Sequence, residues 1–375
     1  MAHSLRRTLA ATLMTAAFAA GPLAAQTSVS GVAYAQWQYL LYTDTLTADS
    51  NLPHINNFDV TRAYINLNGR FTGGITTRVT ADIFNSGATG GIHSYRLKYA
   101  FVAYTPEGSP LTFKIGAIHT PWIDWEEAMW DYRMQGTMAM ERAGYMSSSD
   151  FGVGVDGKWN NDQFNFQAGV YNGTNYSGAA TDGNKDFMVR ASYRLLGTDE
   201  GSRVGGLRIT GYAGLGTPNS GGTRNRFMGM LSYRSMDLTL AAEYAATEDT
   251  VVGGNTSIGG GSVAGVADKK GTVLSAFAVV HLPQTRWSAI GRVDIINPNT
   301  SPAGSGPADS LRNVAGTPKT TRIIAGVSYQ LNPNLRLLAD VDLLSYEDAY
   351  KINTLARYIT FASRQSLFVQ AQLTY

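Results

Sequence analysis

The chain has 375 residues, no cysteine and a formal net charge of +2. Disulfides, thiol chemistry and zinc–thiolate sites are excluded together, and so neutral a balance does not point to nucleic acid. Charged residues make up only 15% while aromatics reach 11% and glycines number 41, fewer charges than the roughly 25% of soluble domains.

In chain order, residues 1–25 come first. They hold Arg6 and Arg7, an apolar stretch from Leu9 to Ala20 and a small-residue end at Ala24 and Ala25. That order of cationic, apolar and small segments predicts a secretory signal peptide, removed after Ala25. Beyond it no apolar run reaches the ~18 residues that a spanning helix needs. The remainder, 26–375, is expected to form one domain.

Period-2 alternation then recurs along the chain. In the last segment Leu367, Val369, Ala371, Leu373 and Tyr375 fall on one face, and Phe368, Gln370, Gln372 and Thr374 on the other. Reading the chain this way predicts strands over 28–43, 56–70, 74–85, 93–105, 110–118, 150–160, 163–172 and 184–197. The series continues over 205–214, 225–235, 237–247, 270–282, 286–297, 319–331, 334–346 and 364–375. Their connections alternate between short, as at Thr72 and Gly73 or Asn161 and Asp162, and long, as at 44–55, 119–149, 248–269, 298–318 and 347–363. Short turns on one side and long loops on the other, with an even strand number, are the pattern of outer-membrane barrels.

The expectation is therefore an all-β fold, a 16-stranded antiparallel transmembrane β-barrel. In hydrocarbon an unpaired backbone group costs several kcal/mol, so the sheet must close. A ring of that many strands is too wide for its own side chains to fill and leaves a watery channel. Small polar solutes would cross it. A soluble β-sandwich would not sort its loops by parity.

The face opposite the apolar one carries the charges. Basic candidates for the channel wall are Arg62, Arg78, Arg96, Lys98, Lys114, Lys158, Arg190, Arg194, Arg208, Arg226, Arg292, Arg322 and Arg336. Acidic ones are Asp82, Asp156, Glu243, Asp294, Asp340 and Asp342. Basic residues outnumber acidic ones, which favours anions in a pore, although arginines near strand ends could instead bind lipopolysaccharide phosphates or pair with the acids.

The longest connection, 119–149, holds Trp122, Trp125 and Trp130 together with Asp124, Glu126, Glu127, Asp131 and Arg133. Three tryptophans so close together do not suit a solvated loop. The reading is an inward-folded constriction loop whose acids face the basic wall and set up a transverse field; an external cap or subunit contact is the plainer alternative. Loops 248–269 and 298–318 read as external segments without chemistry. The four histidines beyond the leader, His54, His93, His119 and His281, sit in no hydrolase or zinc-protease spacing. No catalytic residue, metal ligand or cofactor is expected. A structural or adhesive barrel without an open channel, and less so an outer-membrane hydrolase, stand as the other readings.

Three stretches carry a family resemblance: 57–71 with Arg62, Gly69 and Arg70; 97–122 with Lys98, Tyr104, Lys114, Gly116, Pro121 and Trp122; and 150–158 with Gly152 and Lys158. Over about 57–175 the chain resembles phosphate-selective porins of the O and P type. The resemblance implies sixteen-stranded trimers with constriction loops and arginine-lined channels. It carries Arg62, Lys98, Lys114 and Lys158 over as wall residues. The chain departs from the pattern in that loop 119–149 is acidic and has no lysine cluster. Implied partners are outer-membrane lipid and lipopolysaccharide, small polar or anionic solutes, two further copies in a homotrimer, and the barrel-assembly machinery acting on the C-terminal strand.

Overall fold

The computed structural model describes residues 26–45, 56–85, 93–178, 183–218, 222–252, 266–298, 300, 319–354 and 357–375. The expected signal peptide, most of loop 298–318 and parts of three other long loops lie outside them. Sixteen strands follow in order: β1 (Gln26–Thr45), β2 (Asn56–Arg70), β3 (Ile75–Asn85), β4 (His93–Tyr104), β5 (Leu111–His119), β6 (Ser149–Trp159), β7 (Phe164–Tyr171) and β8 (Asp186–Leu196). Then come β9 (Gly206–Gly216), β10 (Arg224–Arg234), β11 (Leu238–Val252), β12 (Val266–His281), β13 (Trp287–Asn297), β14 (Thr320–Asn332), β15 (Leu335–Thr354) and β16 (Arg357–Thr374). Each strand pairs antiparallel with the next, and β1 pairs β16 to close the barrel. Closure leaves no unpaired edge.

Alternation sorts the side chains as expected. Outward positions are apolar and bare, with Phe58 85% and Tyr95 83% exposed. A continuous apolar exterior of this kind requires a hydrocarbon medium. Aromatic pairs gather near the short-turn end of that exterior, Trp159 stacked on Phe166 at 5.7 Å and Trp287 beside Tyr329 at 4.7 Å.

Two bulges correct the parity. Thr61 is unpaired between Arg62 (opposite Tyr34) and Val60 (opposite Ala35). Phe58 and Val60 therefore stay outside while Arg62 turns in. Lys98 is the extra residue of β4, between Tyr99 (opposite Thr80) and Leu97 (opposite Ala81). An extra residue re-aims its neighbours, so Lys98 and Tyr99 both sit inside, each nearly fully buried.

The short turns are built from left-handed backbone. Asn160, Asn161 and Asp162 have φ of 49°, 52° and 59° in succession, which Asn and Asp tolerate better than most residues. Two long loops are shorter than expected. Strands β11 and β12 pair out to Val252 opposite Val266, and β15 and β16 out to Thr354 opposite Arg357. These wall extensions take up residues that the alternation had left to 248–269 and 347–363, because paired backbone continues past the apolar stretch.

Candidate functional site: the lumen and its inserted loop

The excursion between β5 and β6 is pinched at its neck. Thr120 accepts no helix-capping role; its hydroxyl bonds the Ser147 carbonyl, and its N–H bonds the Ser148 carbonyl at 3.1 Å. Pro121 then opens α1 (Pro121–Met129), as suits a first helical position. A single turn at Arg133–Gln135 and a short α2 (Ala139–Arg142) follow.

These elements lie within the barrel. Trp122, Trp125 and Trp130 are all fully buried. Trp122 meets Tyr212 of β9 edge-on at 5.9 Å, and Trp130 meets Phe277 of β12 at 5.3 Å. The Arg190 guanidinium lies 4.4 Å from the Trp125 ring centre, with Arg208 at 5.7 Å, a cation–π arrangement. Polar contacts reach the rest of the wall. Tyr132 Oη is 2.7 Å from Ser328 Oγ on β14, Gln135 donates to Asp340 on β15, and Gln370 on β16 donates to the Met134 carbonyl at 3.2 Å. Arg234 on β10 donates to the Ala128 and Met129 carbonyls, both at 3.1 Å, placing its cation at the negative end of α1.

The acids of this loop do not oppose a basic wall as an open field. Asp124 is bound by Arg203 at 2.7 Å, Glu127 by Arg133 at 2.9 Å and Asp131 by Arg234 at 2.9 Å. Arg133 also reaches Glu141 at 3.3 Å. Burial opposes ionisation of Asp124, yet the Arg203 guanidinium outweighs it and holds the carboxyl well below its usual range. Burial acts the same way on Glu127, where Lys98 and Arg133 keep it lowered. Glu126 points the other way, at Glu243 of β11. The expected transverse field is corrected here: local ion pairing neutralises these acids within hydrogen-bond distance, where attraction is strongest.

All nineteen candidate wall charges occupy inward positions, but not all meet open lumen. Arg190, Arg208, Arg226, Arg292, Lys98, Asp82, Glu243, Asp294, Asp340 and Asp342 are buried, most of them packed under the loop or against one another. Arg62 and Arg96 share Asp82 at 3.1 and 3.0 Å, Lys114 pairs with Asp156, and Arg322 pairs with Asp342 at 3.0 Å. Arg226 reaches Asp249 at 2.7 Å, and Arg292 reaches Asp294 at 2.8 Å. Arg194 and Lys158 sit at the short-turn mouth, Arg194 bonding the Asn161 carbonyl at 3.0 Å.

Several wall cations are held by neutral groups instead. Arg78 bonds Thr80 and Asn66, each at 3.0 Å, and lies over Tyr99 at 4.8 Å. Lys98 bonds Tyr64 Oη at 3.1 Å between the rings of Tyr64 and Tyr99. Arg336 bonds Gln330 at 2.9 Å and the Asp131 carbonyl at 3.0 Å. Among the described residues no carboxylate pairs directly with these three.

A family model described as phosphate-selective porin O and P matches residues 34–280, more than half of the chain. The chain belongs to that family. It is accordingly an outer-membrane protein and a channel-forming barrel. Solved porin barrels share its fold. OmpT of Vibrio cholerae in a trimer form matches with a TM-score of 0.60 at 11% identity, covering 94% of this chain and 100% of that one. OmpF of Salmonella typhi in complex with daunomycin gives 0.58 at 14%, covering 92% and 97%. A porin refined at 1.8 Å gives 0.56 at 12%, covering 93% and 100%. No curated protein matches in sequence.

Residues that sequence reasoning did not single out as site residues include Arg203, Tyr34, Tyr64, Ser328 and Gln370. Arg203 lies in a short turn, and the others are ordinary strand residues. Their partners are far away in sequence, so no local pattern marks them. His119, which sits in no hydrolase or zinc-protease spacing, stacks on Tyr99 at 4.0 Å at the root of the loop.

Proposed function

We propose that this barrel passes small polar solutes by passive diffusion, with a modest preference for anions, and that it carries no catalytic activity. Arg62, Arg78, Arg96, Lys114, Arg322 and Arg336 are among the wall cations that keep part of their surface open. Loop 119–149 acts as the constriction that narrows this passage. The observation that carries the anion preference is a mismatch in pairing: Asp124, Glu127 and Asp131 of the loop are each salt-bridged, whereas Arg78 and Arg336 are held by neutral groups. Unmatched cations in a low-dielectric wall concentrate anions.

The working assembly is a homotrimer, a reading supported by family membership and by the trimer form of the Vibrio cholerae relative. Its partners are lipid and lipopolysaccharide around the apolar belt and the barrel-assembly machinery at β16. Reversal potentials across a planar bilayer in a KCl gradient test the proposal. Excess chloride permeability is expected, reduced in Arg78→Gln; a cation preference in the unmodified protein defeats the anion reading, and no conductance at all defeats the channel.

A further inference from the structure

Glu126 and Glu243 are both buried, the first on α1 of the inserted loop and the second on β11 of the wall. Their carboxyl groups face each other within hydrogen-bond reach. None of the four oxygens has a hydrogen-bond donor within reach among the described residues. Two ionised carboxylates have no donor between them, and bringing them together away from water is strongly unfavourable. One proton held between them supplies the missing hydrogen bond and removes the like-charge repulsion, as in paired carboxyl sites generally.

The surroundings agree with a single proton. Facing the pair from β13 are Arg292 and Asp294, and Asp294 is in turn bound by Arg142 of α2 at 3.1 Å and by Ser275 of β12 at 2.7 Å. Arg292 is committed to Asp294 at 2.8 Å and to the Thr137 carbonyl at 3.3 Å. The two arginines balance Asp294 and one ionised member of the pair; a second ionised member leaves an uncompensated buried charge. Burial and the neighbouring Glu243 accordingly push the Glu126 carboxyl well above the usual carboxylate range.

We propose that Glu126 and Glu243 form a proton-sharing latch that holds α1 against the β11 wall, so that losing the proton at alkaline pH drives the helix toward the lumen. The wall cannot recede, because β11 is paired on both sides, whereas α1 sits on a loop whose displacement breaks no sheet bond. The latch is thus acid-stable. Raising the pH adds a charge with no partner, and repulsion displaces the movable member.

The latch rests on the channel reading above only for its effect on conductance, and the test separates the two. Infrared difference spectra of the detergent-solubilised full barrel, titrated from acid to alkaline pH, should show a protonated-carboxyl band. That band should disappear with rising pH and be missing from Glu126→Gln and Glu243→Gln. Each amide can donate in place of the proton, so both variants keep the latch shut. In planar bilayers, single-channel conductance of the unmodified protein should fall as the same group titrates, and should stay level in the two variants. A band that persists unchanged in both variants overturns the proposal, as does a pH-dependent fall in conductance that survives in both. A conducting barrel whose band titrates while its conductance stays flat overturns the displacement of α1. Absence of conductance at every pH, with the band behaving as expected, defeats the channel reading and leaves the shared proton standing.

Discussion

Asp124 and Arg203 illustrate how single side chains fix the loop. Arg203 gives Asp124 two contacts, one to its carboxylate at 2.7 Å and one to its carbonyl at 2.8 Å. Because the folded carboxyl is lowered, the stabilisation is fully present above the unfolded carboxylate range near ~4 and is lost only as pH falls through the lowered value. The anchor therefore survives mild acid. Tryptophan emission, with Trp125 next to this pair, is expected to stay constant from neutral pH down to about 4. In Arg203→Gln, where burial acts on Asp124 without its main cation, the emission should change within that window. An emission change in the unmodified protein over the same window contradicts the anchor. None of this was visible in the sequence, where Arg203 is one polar residue in a turn. Asp124 was legible as part of an acidic cluster, but not its partner, since a contact across 79 positions leaves no periodic trace.

At the scale of elements, alternation carried the strands and failed where backbone geometry intervenes. Arg62 and Val60 share parity in the chain yet face opposite sides, because Thr61 is bulged. Placing Arg62 in the lumen rested on its charge, and the bulge is the reason that placement holds. The inserted loop was legible for a different reason: three tryptophans have no stable place in water, and within a wide lumen they can bury against Tyr212, Phe277 and Arg190. The opposing faces of its acids were not legible, since α1 turns Glu126 toward the wall and Glu127 toward Arg133. Two outcomes follow for the loop. Truncating Trp130, which is fully buried, removes packing on the order of 3–5 kcal/mol for a large aromatic; Trp130→Ala should give noisy, fluctuating channels while the barrel stays folded. Deleting 122–135 should raise single-channel conductance outright, and unchanged conductance in that deletion would mean the loop is no constriction.

At the scale of the whole molecule, strand count and loop parity were legible because closure is a global demand on every segment: each strand must expose one apolar face and hand its backbone bonds to two neighbours. The seam is where that demand is completed last in sequence. Gly31 of β1 and Tyr375 exchange backbone bonds at 2.7 and 3.0 Å, so the last residue joins the first strand. A side chain at Gly31 has no room, since its Cβ would stand 2.4 Å from the Tyr375 ring and 2.4 Å from the Tyr64 carbonyl. The ring could swing away, but the β2 backbone cannot without breaking its pairing with β1. Opening the seam exposes two unpaired edges to hydrocarbon, at several kcal/mol for each unsatisfied group. Gly31→Val should therefore sharply lower the yield of the compact, heat-modifiable form on semi-native electrophoresis after refolding into detergent. Gly211→Ala is the matched control, because a Cβ there meets nothing within 4 Å, and its yield should equal that of the unmodified protein. Equal yields from both variants would show that β1 and β16 can close in a register other than the one that pairs Val32 with Thr374.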